Sequence, residues 1–595
     1  MKTGKAGIDM TRKWIALLLC LCLAAPALAA AEGSATEVSA AYTIEERVIP
    51  TYLLSEDTVF DEHYWIVNGQ EGVLWVDLEK WVANIEVLIG ILPGDTDLKL
   101  TGKADGDVYT LTRENGFTMI FDFANNTIIF PDYNYFVKKS YAVSLVDVLG
   151  IDAFDKEGKP FLFKRDAERT YDRPGSSKVF DLSSYGLRLI KQDGRFYVPL
   201  NTIMDLCITY KTGGLLMSYN GQAVFFITKS SLGSINNPTE LGKLYYSATP
   251  RNRTYDEIWF GYGELCLVLD HLYGLKETHQ ISCFDAIFRY MGIDKYLKSA
   301  DPFEADSALH TFISIYLDDL HSGYLMPSWM SGTQARNYLM HPGRSEERMG
   351  EAEQTFYMAR RQYYPGGFKC YEEVGNTAYI TFDRFQTKIS DGVDYYNLTD
   401  DELWELAPED NLSLIIYAHR QINRENSPIE NVVIDLSNNA GGTVDAAVFA
   451  IAWFLGEADI AFQDKCSGAM SAVAYRADVN LDREFDDRDV LQGKNLYCLI
   501  SPVSFSCGNL VPAAFQNSQK VTLIGRQSGG GSCIVQPMIT TWGTIFQFSG
   551  SKCLSVIKNG SMYDIDQGIE PDYYLSKISH FYDREKLTEI INRMD

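Results

Sequence analysis

Two short stretches place reactive residue types at turns. SPVSFSCGNL (501–510) follows the apolar run NLYCLI and precedes LVPAAF, so it reads as strand, tight turn and helix. Ser506, Cys507 and Gly508 stand at that turn. Small polar residues there serve either as an ordinary helix cap or as a nucleophile held at the positive end of a helix. Cys507 is a second nucleophile candidate, ranked below the serine. The stretch NVVIDLSNNAGGTVDAAVF (431–449) repeats the strand–turn–helix pattern, with Gly441 and Gly442 at its turn. Paired glycines let the backbone approach a ligand and expose amides able to stabilise an oxyanion. Glycine is also common at strand-to-helix turns, so neither stretch is specific alone. Together they suit acyl transfer.

The elements that must position these turns follow from periodicity. From about residue 370, the short apolar strands AYITF (378–382), NVVIDL (431–436), NLYCLI (495–500) and VTLIG (521–525) alternate with helical runs such as VDAAVFAIAWFL. That alternation predicts an α/β domain over a buried, largely parallel sheet. Sites in such sheets lie at the carboxyl ends of strands, where Ser506 and Gly441-Gly442 fall. Residues 236–345 have helical spacing, as in ALHTFISIYLDDLHSGY. Upstream, HYWIVNGQEGVLWVDLEKWV (63–82) with GFTMIFDFANNTIIF (116–130) parallels YGLRLIKQDGRFYVPLNTIMDLC (185–207) with GLLMSYNGQAVFFI (214–227). Each copy reads as strand, Gly turn, strand, short helix and hairpin.

The chain has 595 residues, too many for one core. An apolar content of 46% excludes a disordered chain. The net charge of -26 is spread along the sequence, which argues against nucleic acid or an anionic membrane as the partner. Near the N-terminus, Arg12 and Lys13 precede an apolar run from Trp14 that ends at Ala27-Leu28-Ala29. This is a secretory-signal pattern over residues 1–31 that could also stay as an anchor. A secreted or extracytoplasmic location is expected, with membrane attachment only through that segment. No CxxC pair occurs after it, so metal-site spacing is absent and no cofactor is expected.

The repeated segments resemble the copper amine oxidase N-terminal-like modules, which implies a β-rich binding or spacer region without copper chemistry. The downstream motifs resemble the C-terminal processing (tail-specific) serine peptidase family. They are Leu436-Ser437-Asn438-Asn439-Ala440-Gly441-Gly442, Ser504-Phe505-Ser506-Cys507 and Gly568-Ile569-Glu570-Pro571-Asp572, in the family's order and spacing. The resemblance covers roughly residues 250–580 and implies a crotonase-like catalytic sheet with helices. It implies Ser506 as nucleophile, and oxyanion amides from Gly441 or Gly442 and from Cys507.

A serine hydroxyl needs a base. The lysine that many members place about 25 residues past the serine is Gly531 here. The family's tricorn-like branch uses a histidine from the preceding domain, and LDDLHSGY supplies His321. By the same resemblance Ser322 is the orienting serine, and Asp566 or Asp564 the orienting acid. Asp318 and Asp319 read as an exposed helix face. Ser437 and Asn509 depart from the arginine and glutamate common in the family. Too few residues separate His321 from the catalytic strands for a PDZ module.

The expected architecture is therefore α/β and multidomain. It has a signal or anchor (1–31), two β-rich α+β repeat modules (40–140 and 141–235), a helical domain carrying the base (236–345) and a peptidase domain (346–595). The expected function is a secreted serine endopeptidase acting on proteins or peptides. The rival is an inactive peptidase-fold protein that binds a cell-wall or surface partner through its N-terminal modules.

Overall fold

The computed structural model describes residues 41–54, 58–90, 99–138, 144–146, 149, 161–209, 214–228, 231–236, 239–247, 251–330 and 343–594. The signal or anchor expected over 1–31 lies outside them. No described helix is long and apolar enough to cross a membrane.

The C-terminal half is organised by a six-stranded sheet. Its order is Tyr371–Val374, Thr377–Thr381, Asn431–Asp435, Asn495–Ile500, Val521–Gly525 and Tyr573–Tyr574. From Thr377–Thr381 onward every neighbouring pair is parallel. Asn431–Asp435 is buried along its whole length, as a parallel strand covered on both faces must be. The helices Val444–Leu455 and Cys507–Ser518 pack against one another over this sheet. Their apolar residues join those of the strands in one core. Beneath the glycine turn, Arg584 from the last helix donates to Asp435 Oδ2 at 2.6 Å, both side chains being almost fully buried.

A seven-stranded sheet carries the rest of the site. Gly323–Met326, just after His321, pairs antiparallel with the long strand Ile545–Ser555. That strand also pairs with Cys533–Ile539 and with Ala458–Asp464. Upstream residues enter here too, since Phe163–Arg165 and Tyr171–Arg173 pair with Met470–Ala477.

The two repeated segments share a sheet. Ile190–Gln192, Arg195–Pro199, Trp75–Asp77 and Thr58–Val67 are consecutive in another seven-stranded sheet, so the second strands of the two copies pair with each other. A lone two-stranded unit is marginal in water, and pairing across the copies gives each a longer sheet. The hairpins differ in place. Thr118–Asp122 and Thr127–Phe130 lie in a separate five-stranded sheet, whereas Leu216–Tyr219 and Val224–Ile227 end the shared one. The boundaries expected at 140/141 and 345/346 thus fall between segments whose strands share sheets. Thr43–Asp595 packs as one compact unit.

Candidate active site

The strand Asn495–Ile500 ends in a turn that carries three serines, and their partners tell them apart. Ser501 Oγ donates to the Ser437 carbonyl at 2.6 Å, and Ser504 Oγ donates to the Leu436 carbonyl at 2.7 Å. Both residues are fully buried. They tie the serine turn to the glycine turn. Ser506 alone of the three is partly exposed. It stands immediately before the helix Cys507–Ser518 with φ 56° and ψ -119°. A non-glycine residue at positive φ costs on the order of 1–3 kcal/mol, and such strain concentrates at functional positions.

Neighbouring glycines permit this geometry. A Cβ on Gly441 would lie 2.7 Å from the Ser506 Cβ, and one on Gly442 would lie 1.9 Å from the Phe385 carbonyl oxygen. The Gly441 amide donates to Asn439 Oδ1 at 2.9 Å. Gly441 is therefore engaged in the turn, and Gly442 is the glycine whose amide is free. Among the described residues, the amides of Gly442 and Cys507 make no hydrogen bond. Both residues line a cavity of about 350 Å³ together with Ser506 and His321. The Cys507 thiol donates to the Gly442 carbonyl at 3.2 Å, and burial pushes its pKa up to about 12. A thiol held protonated in that way is not a nucleophile near neutral pH.

The loop 528–532 braces the Ser506 turn. Ser506 N–H donates to the Gly530 carbonyl at 2.9 Å, and Gly529 N–H to the Ser504 carbonyl at 2.8 Å. Gly531 has φ 86°, and a Cβ there would lie 2.5 Å from the Phe505 ring. A lysine at that position would meet both a disfavoured backbone and the ring. Lys520 sits past the far end of the helix Cys507–Ser518, where Nζ donates to the Leu455 carbonyl. The motif Gly568–Asp572 is a clasp. Ser528 N–H donates to the Ile569 carbonyl at 3.0 Å, Ser528 Oγ accepts from Ile569 N–H at 2.6 Å, and Asp572 accepts from Leu523 N–H at 2.8 Å. Asn509 ties Ser528 to the Ile565 carbonyl.

His321 is nearly buried, and its ring packs on the ring of Phe505, with centroids 4.6 Å apart. It lies between two cavities. One is the cavity of Ser506. The other, about 200 Å³, also borders Asp319 and Asp566. Asp566 Oδ1 accepts from Ser532 N–H and Oγ–H at 3.1 and 3.2 Å. Burial raises its pKa, with the charges of Asp564 and Asp319 adding to the effect. Asp564 is exposed and accepts from the Asp566 amide. Of the two acids read from sequence, Asp566 is the one that borders a cavity with His321.

Ser322 stands elsewhere. Its hydroxyl donates to Asp319 Oδ2 at 2.7 Å and accepts from Ser549 N–H at 3.2 Å. It borders neither cavity. The reading of Asp319 as part of an exposed helix face is corrected, since its carboxylate organises the loop that carries His321. The helical pattern hid a different signal: Asp-x-His-Ser is the spacing of an Asx turn, in which a carboxylate accepts from amides two and three residues on.

Residues 376–575 match the family model described as Peptidase family S41, which makes this segment a serine-type peptidase domain. No curated protein is significantly similar in sequence to the chain. Among solved structures, it is similar to a photosystem II D1 C-terminal processing protease, at 15% identity and TM-score 0.25, covering 33% of this chain and 42% of that one. It is similar to a lipoprotein from Streptococcus agalactiae, at 15% identity and TM-score 0.33, covering 57% of this chain and 96% of that one. A third is mature CPAF complexed with lactacystin, at 11% identity and TM-score 0.35, covering 57% of this chain and 97% of that one.

Proposed function

We propose that this serine-type peptidase hydrolyses peptide bonds through an acyl-enzyme, with Ser506 as nucleophile and His321 as general base. The observation that carries the reading is the shared cavity. Ser506, His321 and the unbonded amides of Gly442 and Cys507 all border it. His321 takes the Ser506 proton as the oxygen attacks a peptide carbonyl. The Gly442 and Cys507 amides hold the tetrahedral oxyanion, aided by the positive end of the helix Cys507–Ser518. His321 then protonates the leaving amine, and water releases the acyl group by the same steps in reverse. Asp566 supplies negative charge on the far side of the imidazole.

The substrates are proteins or peptides. The basic-then-apolar N-terminal segment supports a secreted or extracytoplasmic enzyme, held at a membrane where that segment is retained. The shared N-terminal sheet is a candidate surface for a cell-wall or surface partner.

Labelling with a fluorophosphonate serine probe tests the reading, comparing wild type with Ser506→Ala and His321→Ala. Loss of labelling in both variants is the expected result. Loss in Ser506→Ala alone would assign the base elsewhere. A folded wild type that takes no label would sink the proposal and favour a binding protein on a peptidase fold.

A further inference from the structure

His321 has no helix or strand of its own to fix it. It sits in the five-residue stretch 318–322, between the helical turn Phe312–Leu317 and the strand Gly323–Met326. One carboxylate gathers that stretch. Asp319 Oδ1 accepts from His321 N–H at 3.1 Å, from Ser322 N–H at 2.8 Å and from Ser549 Oγ–H at 2.7 Å. Oδ2 accepts from Ser322 Oγ–H at 2.7 Å and from the Tyr273 hydroxyl at 2.8 Å. An ionised carboxylate has about four lone-pair sites, so five donors saturate it. The donors come from three separated segments: the loop itself, the end of the helix Tyr255–Leu272, and the strand Ile545–Ser555.

The proton arrangement extends one residue further. Tyr273 has a single hydroxyl proton. When that proton goes to Asp319, the Tyr273 oxygen accepts from His279 Nδ1, 3.0 Å away. The chain of donors then runs His279, Tyr273, Asp319, with every proton pointing toward the carboxylate. Gln547 completes the clamp by donating to the His321 carbonyl at 3.2 Å. The His321 backbone is thus held on its N–H by Asp319 and on its C=O by Gln547.

We propose that Asp319 is the positioning residue for the general base. It fixes the His321 backbone so that the imidazole stays between the Ser506 cavity and Asp566, and Ser322 acts through Asp319 and not on the imidazole. This inference rests on the assignment of Ser506 and His321 given above. Asp319 borders the polar cavity but not the one containing Ser506, so it acts on the base and leaves substrate contacts untouched. The charged and titratable groups around His321 are Asp318 and Asp319 on its own loop, His279 from the segment after Tyr273, Arg348 from the helix Arg344–Tyr363 and Asp566 in the polar cavity, with Asp445, Cys507 and Cys533 around the cavity it shares with Ser506. Arg348 is paired with Asp318 at 3.1 Å.

The test uses the full chain and four proteins: wild type, Asp319→Asn, Tyr273→Phe and Ser506→Ala. The fluorophosphonate probe titrates active sites, and its labelling rate is followed from acid to alkaline pH. Hydrolysis of an unfolded protein then gives kcat per titrated site and KM. An amide at position 319 cannot accept from all five donors, and its NH₂ faces other donors. The expected result for Asp319→Asn is a fall of about 100-fold in kcat per titrated site, with KM little changed, as for a misplaced catalytic group. The acid limb of its labelling profile moves to lower pH, because one negative charge near the imidazolium is gone. Tyr273→Phe, which removes one donor and keeps both the ring and the Asp319 charge, lowers kcat per titrated site by a smaller factor and leaves the acid limb within the wild-type range.

Asp319→Asn with wild-type kcat per titrated site and an unmoved acid limb would overturn the proposal while leaving the catalytic reading intact. A lower thermal midpoint with those two readouts unchanged would also overturn it, reducing Asp319 to loop support. If Asp319→Asn does not fold, a wild-type kcat per titrated site in Tyr273→Phe overturns the proposal. A wild type that takes no label, or a Ser506→Ala that still does, removes the catalytic assignment and this inference with it.

Discussion

The Ser506 turn and the His321 loop meet at a ring contact, yet they are held by different physics. The turn around Ser506 is fixed by the chain itself. Two parallel strands end side by side, glycines stand where a Cβ would collide, and Ser506 takes a positive φ just ahead of a helix. The loop around His321 is fixed by side chains. Its Asp319 carboxylate collects donors from residues 273 and 549 as well as from its own neighbours. A site half built on backbone sterics and half on a polar network fails differently in its two halves. The first breaks when atoms are added, the second when donors or acceptors are removed.

The largest effect belongs to the turn. Ser506→Ala is expected to remove peptidase activity by about 10⁴–10⁶ in kcat, as in other serine hydrolases stripped of their nucleophile. Its thermal midpoint should stay near that of wild type, because Ser506 Oγ supports none of the hydrogen bonds that build the turn. A stability loss comparable to the activity loss would show that Ser506 is a structural cap. Gly442→Ala comes next. Its new methyl would meet the Phe385 carbonyl at 1.9 Å with φ at 143°, so the turn must move and carry the oxyanion amide away. Losing one such donor costs about 10²–10³ in kcat. Hydrolysis assays with denaturant melts read both consequences, and a stable, active Gly442→Ala would break the contrast.

How much of this was legible in the sequence follows the same division. Strand–turn–helix stretches with Gly441-Gly442 and Ser506 are local patterns, and the residues that build those turns lie within a few positions of each other. The structure places these turns side by side at the ends of adjacent parallel strands. The choice of Gly442 over Gly441 was not legible, because it depends on where the Asn439 side chain turns. Asp319 was not legible as a hub either. Asp318 and Asp319 look like the polar face of a helix until Tyr273 and Ser549, 46 and 230 residues away, are seen to converge on one of them. The repeats were visible as repeats. Their common sheet was not, because pairing between copies leaves no periodic signal.

A pH experiment separates the two halves by stability. The helix Tyr255–Leu272, which ends at Tyr273, also carries Glu264, fully buried beside Asp205. Burial raises the pKa of Glu264 to about 8, and burial and then the Glu264 charge raise that of Asp205. For a carboxyl whose folded pKa lies above its unfolded one, the stabilising contribution is complete below the unfolded value. It is lost as pH rises through the folded one. The helix, and with it the anchor of the base loop, should therefore loosen between about pH 5 and pH 8–9. Hydrogen exchange followed by mass spectrometry should show protection in 255–273 falling over that window while 495–518 stays protected. Glu264→Gln should flatten the fall, and equal losses in both segments would erase the distinction.

The smallest effect sharpens the comparison most. If Ser322 oriented the imidazole directly, Ser322→Ala would act as a defect in the base itself. The geometry makes it one of five donors on Asp319, and its loss leaves four in place, including the His321 amide. A hydrogen bond to a charged group is worth about 1.5–3 kcal/mol, and a saturated carboxylate with four remaining donors should feel the lower end or less. Ser322→Ala should therefore lower kcat by no more than about tenfold. Its acid limb should stay within the wild-type range, because the Asp319 charge remains. A loss approaching that of His321→Ala would place Ser322 on the imidazole. It would make the base, like the nucleophile, the product of a local motif, and the division between the two halves of the site would close.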